Sequence, residues 1–342
     1  ARYYIMATEN PNETDNNISK ISKIRINKWL VYAGVGGIAL IISFILRQVD
    51  LEVFLKFPLD IEFPVKSRMN DGLDWLVING AWFFDGISYQ IKVWLGRLKD
   101  FLIWLPWPVF SGLVLLLAWR IGGRKIVLLA ITALLYIGVM HLWESAMVTV
   151  AIMIVSVSIS IMFGIPIGIL GSRSDRFDRI LRPILDGMQT MPSFVYLVPG
   201  IMFFGLGNVS AVIATVLYSI PPCIRLTNLG IRQVDSQVIE AGTAFGSNRM
   251  QLLTKVQIPL AIPTIMAGIN QTVMMALAMS TIAAMVGAGG LGQDVLLSMG
   301  QLDQGGAFLA GMGIVLMAIV IDRITQGYIE SSQSSSGTTN RE

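Results

Sequence analysis

Seven stretches of this chain contain no Asp, Glu, Lys or Arg: 29–46, 101–119, 126–143, 145–172, 187–224, 256–293 and 304–321. About 20 apolar residues carry a helix across a bilayer, and one charge at mid-membrane costs about 2.5–3.5 kcal/mol on insertion scales. Windows of this length predict several membrane-spanning helices. The window 187–224 holds 38 residues, about 57 Å of helix, nearly twice the hydrocarbon thickness. It divides at Gly205-Leu206-Gly207-Asn208 into two spans. The window 256–293 is equally long, but Gly287, Gly289, Gly290 and Gly292 end its helix early. Eight spans result: 29–46, 104–119, 126–142, 145–171, 190–205, 209–226, 260–285 and 305–322.

Composition agrees with this pattern. Hydrophobic residues make up 54% of the 342 positions and charged residues 14%, with a mean hydropathy of +0.66. A soluble domain carries about 25% charged residues, so this chain lacks the charge to cover a water-facing surface. The single cysteine, Cys223 beside Pro221 and Pro222, excludes a disulfide within the chain and a cysteine-based zinc site. It reads as a small buried hydrophobe. The lone His141, next to Trp143 and Glu144, reads as interfacial, and no metal is expected. A net charge of +3 speaks to topology and not to nucleic acid.

Lys and Arg concentrate in cytoplasmic loops. Lys20, Lys23, Arg25 and Lys28 precede the first span and place the N-terminus inside. Threading onward puts Arg120, Arg124 and Lys125 inside, then Arg173, Arg176, Arg179 and Arg182. Arg225, Arg232, Arg249 and Lys255 follow, and Arg323 places the C-terminus inside too. The outer connections around His141, Asn208 and 287–303 hold no Lys or Arg. Only 47–103 breaks the rule, with Arg47, Lys56, Lys66, Arg68, Lys92, Arg97 and Lys99. Long translocated segments obey it weakly. Trp75, Trp82, Phe83, Phe84, Tyr89 and Trp94 among those charges suit an amphipathic helix or pair at the outer interface, or a soluble cap on the membrane domain. Residues 1–28 read as a disordered cytoplasmic tail, with Met6-Ala7-Thr8-Glu9 as a natural start, and 326–342 as a flexible tail.

Residues 235–259, DSQVIEAGTAFGSNRMQLLTKVQIP, lie on the cytoplasmic side between two spans. Asp235 or Ser236 can cap a short helix, Gly246 can end it in a left-handed turn, and Ser247 can cap a second one. Met250, Leu253 and Val256 recur there at helical spacing, and Pro259 resets the chain into the next span. From physics alone this helix–Gly–helix element suits a structured loop as well as a docking device. Glu240-Ala241-Gly242, three residues, Gly246, nine residues, then Val256-Gln257-Ile258-Pro259 resembles the EAA motif of ABC importer permeases. That motif reads Glu-Ala-Ala, three residues, Gly, nine residues, Ile, one residue, Leu-Pro. Gly242, Val256 and Ile258 depart from it by small or apolar exchanges.

The resemblance implies an all-α polytopic protein with the MetI-like transmembrane domain of type I ABC importers, over 104–325, plus an N-terminal extension. It also implies that Glu240, Ala241, Gly242, Gly246 and Pro259 couple the chain to an ATP-binding subunit. Small Ala241 and Gly242 would allow close approach, and Gly246→Val would block it. No Gly-x-x-x-x-Gly-Lys-Ser/Thr phosphate loop occurs in the chain. ATP and Mg are therefore expected on a separate subunit, and the chain itself is expected not to be an enzyme. Gly287-Ala288-Gly289-Gly290-Leu291-Gly292 matches the dinucleotide pattern Gly-x-Gly-x-x-Gly, but it follows a membrane span where that motif needs a strand. A flexible outer turn is expected.

The likeness extends further. Leu185 to Pro199, Ile262 to Thr272 and the glycine turn are similar to the glycine betaine/proline betaine importer permeases, whose cargo is quaternary or methylated amine osmolytes. The match runs from about 71 to 326. It implies a second copy of the permease, two ATP-binding subunits, a periplasmic or lipid-anchored binding protein and a place in the bacterial inner membrane. Met188, Gln189, Tyr196, Asn270, Gln271, Met274, Met275 and Met279 are candidates for the path. Trimethylammonium groups favour aromatic and polarizable surfaces, although Met and Tyr at helical spacing suit plain packing too. Buried amides in a membrane need partners. Gly164, Gly168 and Gly171 around Pro166 suit close helix contact or a hinge. An amino-acid or small-cation permease is the neighbouring alternative, and a channel without an ATPase is the alternative of another class.

Overall fold

The computed structural model describes residues 32–47 and 65–337, so the expected tail 1–28 and residues 48–64 and 338–342 lie outside the description. Among the described residues every regular element is a helix. The chain divides into two units, 1–73 and 74–342. In the first, α1 (Tyr32–Arg47) occupies the first expected span. Its length, about 24 Å, is somewhat short of the ~30 Å hydrocarbon core. Helix α2 (Val65–Trp104) starts in the first unit and continues into the second.

In the second unit α2 lays one stripe on the core. Ile91, Leu95 and Leu102 are buried, and Ile87 and Leu98 pack beside them at spacings of three and four residues. Phe84 continues the stripe, stacked on Phe203 at 4.5 Å between ring centroids. The opposite face leaves Trp75, Ile78, Trp82 and Tyr89 exposed. Residues 65–104, read from sequence as an amphipathic helix, a pair or a cap, are thus one continuous helix.

Helix α3 (Trp107–Val139) contains one non-helical residue, Gly123, at φ 68° and ψ −168°. A straight helix of its 33 residues would hold its ends about 50 Å apart. Instead Ser111 and Gly138 line the same cavity of about 670 Å³, and Ala118 clusters with Ala130 and Ala133. The chain doubles back at Gly123, and the two expected spans 104–119 and 126–142 are the arms of that hairpin. The Tyr136 hydroxyl donates to the Leu309 carbonyl at 3.0 Å, while Gly327 abuts Ile121, so α12 (Gln304–Gly337) runs antiparallel to the second arm. His141 sits exposed in the turn that leads on to α4.

The centre is a stack of α4 (Trp143–Arg173), α7 (Asn208–Arg232) and α10 (Ile258–Ile282). Their backbones approach because glycines meet them. A Cβ on Gly164 would lie 2.9 Å from Cys223 Sγ, one on Gly168 2.8 Å from the Ile224 carbonyl, and one on Gly268 3.2 Å from the Pro222 carbonyl. Cys223 is fully buried there. Pro166 lies inside α4 without ending it.

The expected span 190–205 is not one helix. Helix α5 (Asp175–Thr190) stops where Met191 adopts an extended conformation before Pro192, as residues preceding proline do. A 3-10 turn (Ser193–Tyr196) and the eight-residue α6 (Leu197–Phe204) follow. Asn228 bonds Asp178, Ile224 and Ile220 pack on Leu181 and Leu185, Tyr218 meets Tyr196, and Ser210 abuts Gly200. The whole segment 175–204 therefore climbs α7 antiparallel, broken once. Its lower half carries Asp175, Asp178 and Asp186, which is why a charge-free window could not delimit it.

Among the described residues, four helical runs are each long and apolar enough to cross a membrane alone: Trp143–Arg173, Asn208–Arg232, Arg249–Val286 and Gln304–Gly327. Helix α12 continues past the expected boundary at 325 to Gly337, because extending an existing helix is far easier than nucleating one. The glycine turn packs against the bundle: Ala288, Gly290, Leu291 and Gly292 are buried, while Gly287 is exposed. Gly287 and Gly290 take φ of 83° and 99°, and a Cβ on Gly290 would strike Thr149 Oγ1. The Leu291 N–H, opening α11 (Leu291–Gly300), donates to Thr149 Oγ1 at 2.9 Å. The Gly289 N–H donates to Asn208 Oδ1 at 3.0 Å.

Candidate functional site

The element between α7 and α10 is built from local signals. Asp235 caps α8 (Ser236–Ala244) by accepting from the Gln237 N–H at 2.9 Å. The helix ends in a Schellman turn. Gly246, at φ 81°, donates its N–H to the Thr243 carbonyl at 2.9 Å, and the Ser247 N–H reaches the Gly242 carbonyl at 3.1 Å. Ser247 is thereby committed to the first helix, and the cap of α9 (Arg249–Leu252) passes to Asn248. Asn248 Oδ1 accepts from the Met250 and Gln251 N–H groups, and the Gln251 side chain returns a bond to the Asn248 N–H. This is a capping box, one residue beyond the expected Ser247.

A π-turn, Leu253–Gln257, joins α9 to α10. Pro259 has no N–H to return to the Lys255 carbonyl, and the widened turn precedes that vacancy. Leu253 is buried with Ile231, Ala261 and Ile265, so the base of the element is anchored on α7 and α10. Helix α8 buries no residue. Glu240 and Ala241 are exposed, as is Pro259, and Phe245 at the tip is 91% exposed. Gly242 faces inward instead, since a Cβ there would lie 2.8 Å from Leu252 Cδ1. Its small size closes α8 onto α9, a role distinct from the outward approach expected of it.

The candidate path residues divide into three groups. Tyr196 is buried with its ring edge-on to Tyr218 at 5.7 Å, and its hydroxyl donates to the Met188 carbonyl. It thus satisfies the backbone near the break after α5, beside half-buried Met188. On α10, Met279 is buried and Met274 and Met275 are half-buried. Asn270 Nδ2 faces Asp322 Oδ1 at 3.5 Å, while Asn270 Oδ1 is buried without a partner. Gln189 and Gln271 are exposed. Sequence reading missed Asp322 and Gln326, whose side chains bond at 2.7 Å, because Asp322 sits one residue beyond a charge-free window.

The family model for "binding-protein-dependent transport system inner membrane component" matches residues 160–332, which include α7, α10 and the whole element between them. The chain belongs to that family. This transport component is 45% identical to the glycine betaine/proline betaine transport system permease protein ProW of Escherichia coli (strain K12), over 79% of this chain and 77% of that one. It is also 45% identical to the glycine betaine transport system permease protein OpuAB of Bacillus subtilis (strain 168), over 77% and 93%. In fold it resembles a chain of the MetNI methionine ABC transporter in an inward-facing conformation, with TM-score 0.50, 22% identity, and 54% and 92% of the two chains covered. An inner membrane component of binding-protein-dependent transport is a multi-pass permease subunit that works with an ATPase and a substrate-binding protein.

Proposed function

We propose that this chain forms the pathway by which glycine betaine, proline betaine and related quaternary or methylated amines enter a bacterial cell. ATP hydrolysis on two separate nucleotide-binding subunits drives the cycle. The observation that carries the reading is α8. It is a helix with no buried residue, stapled by caps at both ends, rooted on α7 and α10, and tipped by a 91% exposed Phe245. A nine-residue helix that buries nothing is only marginally stable on its caps alone, and a groove on the ATPase is the fitting cover for its exposed face. Glu240 and Ala241 lie on the surface that would meet it, Gly246 and Gly242 hold its shape, and Pro259 sets its exit into α10.

Two copies of the chain complete the pathway, each lending α10. Gln271 on the exposed side of that helix is costly against lipid and better placed against water or a second copy. The aromatic pair Tyr196–Tyr218, with Met188 beside it, offers the soft surface a trimethylammonium group prefers. Both termini lie in the cytoplasm, and an external binding protein delivers cargo to the opposite face. The names of the two permease relatives support betaines over amino acids as cargo.

The test is uptake of labelled glycine betaine by the complex reconstituted in liposomes, with choline, proline betaine, trimethylamine oxide and amino acids as competitors. ATP-dependent uptake, suppressed by the methylated amines, is expected. Competition by amino acids alone would favour the neighbouring permease reading. Uptake that needs neither ATP nor a nucleotide-binding subunit would point to a channel.

A further inference from the structure

Arg232 is the last residue of α7 and stands three positions before Asp235, the cap of α8. Its guanidinium donates in three directions. Nη2 donates to the Gly171 carbonyl in the last turn of α4 at 2.9 Å, and Nη1 to Asp175 Oδ1 at the start of α5 at 2.7 Å. Nε donates to Asn228 Oδ1 on α7 itself at 2.9 Å. Asn228 passes the link on, its Nδ2 donating to Asp178 Oδ1 at 2.6 Å. Arg182 closes the cluster on Asp178 Oδ2 at 2.6 Å. Asp178 is 6% exposed at its side chain. Contact is close because position 171 is glycine: a Cβ there would lie 3.2 Å from both Asn228 Nδ2 and Leu181 Cδ2.

The bonds contribute little to stability at the Asp175 end, where the carboxylate is 82% exposed. Their value is geometric. A planar guanidinium offers donors in a fixed fork, whereas an ammonium is a single point charge on a flexible stem. One side chain holds the ends of α4, α5 and α7 in register where the chain leaves for α8. We propose that Arg232 is the positioning residue that transmits displacement of α8 into the membrane helices. The Arg232–Asn228–Asp178 cluster makes α4 and α5 move with α7. Helix α5 then carries the movement towards Met188 and Tyr196. Without the fork, α8 can follow its partner while the ends of α4 and α5 stay behind.

This inference rests on the reading of α8 as the element that docks on the ATPase. The experiment uses the full complex in proteoliposomes and measures ATP hydrolysis and glycine betaine uptake in the same vesicles. Assembly is followed by gel filtration. For Arg232→Gln, hydrolysis stimulated by the loaded binding protein is expected to persist while uptake falls by about tenfold, within the range seen for coupling positions. Arg232→Lys should recover only part of that loss. Asp175→Asn, an exposed change that leaves the buried members in place, should raise ATP consumed per substrate by roughly twofold. Full uptake with normal hydrolysis in the assembled Gln variant overturns the proposal, as does a parallel loss of both. Should the Gln variant fail to assemble, an unchanged ratio in Asp175→Asn overturns it alone. Absence of stimulated hydrolysis with the unaltered chain would instead defeat the docking reading.

Discussion

Gly246 allows the α8 reading to be tested through backbone conformation alone. It sits at φ 81° with open space where a Cβ would go, so a substitution there clashes with nothing in the chain. The cost is conformational, about 1–2 kcal/mol for an L-residue in the left-handed region, and a β-branched side chain lies at the upper end. Little opposes it. Helix α8 has nine residues and none buried, and isolated helices below about 12 residues are marginal. Its order comes from the Asp235 cap, worth about 1 kcal/mol, and from the two Schellman bonds that Gly246 makes possible. A strain of 1–2 kcal/mol is thus about as large as the local stability, and it cuts the ordered fraction by roughly 5–30-fold. Gly246→Val is expected to raise ATP hydrolysed per glycine betaine imported and to speed hydrogen exchange across 236–247. Gly246→Asn, which tolerates left-handed φ, should remain close to the unaltered chain in both. Wild-type coupling in the assembled Val variant would refute the reasoning. Equal damage by Asn and Val would refute it differently, by showing that side-chain bulk against the partner matters and φ does not.

Other outcomes follow from the packing. Gly168→Ala places a Cβ 2.8 Å from a backbone carbonyl and 2.6 Å from Thr227 Cβ, an overpacking cost of about 1–3 kcal/mol that should appear as a lower thermal midpoint of the detergent-purified protein. Gly187→Ala meets nothing within 4 Å and should leave the midpoint unchanged or raise it slightly. Thr149→Val removes the acceptor for the Leu291 N–H and leaves that buried donor unpaired, so the midpoint should fall by the equivalent of about 1–3 kcal/mol; no change would mean the glycine turn finds another partner. Burial pushes the Asp178 carboxyl up, but hydrogen bonds from Arg182 and Asn228 and the charges of Arg182 and Arg232 outweigh it, leaving the pKa below its ordinary 3.8. Ionised Asp178 thus contributes stability above that ordinary value, and the contribution is lost as pH falls through the lowered one. Asp178→Asn should flatten this acid-side decline in thermal midpoint, and an equally steep decline would assign it to other groups.

The positions of most helices could be read from charge spacing because membrane spans exclude charge whatever they pack against. Gly123 was bracketed by Arg120, Arg124 and Lys125, and the hairpin turn falls among them. Where a segment rises on the protein side of a bundle the rule fails. Residues 175–204 keep Asp178 in an ion network against α7 while climbing it, so their lower half looked like a loop and the break at Met191-Pro192 looked like a beginning. The element at 235–259 was legible because helix caps and a left-handed glycine are local devices. Its one misplacement arose because the Schellman turn engages Ser247 first. Gly242 was read by size alone, and size does not say which neighbour the missing Cβ makes room for.

The arginines mark the boundary of what sequence could yield. Arg173, Arg176, Arg179, Arg182, Arg225 and Arg232 were explained by topology, and that explanation needs only their number and side. It treats them as interchangeable, and with lysine as well. The structure separates them. Arg182 is 67% exposed at its side chain, whereas Arg232 is 28% exposed and divided among a carbonyl, a carboxylate and an amide. Replacing Arg232 by Lys keeps the charge that fixes orientation and removes the fork that joins three helices. Orientation in the membrane and coupling to ATP should therefore come apart in that variant. If they do not, the cluster serves topology alone, and the link between α8 and the membrane helices must run through buried Leu253 and its contacts with Ile231, Ala261 and Ile265.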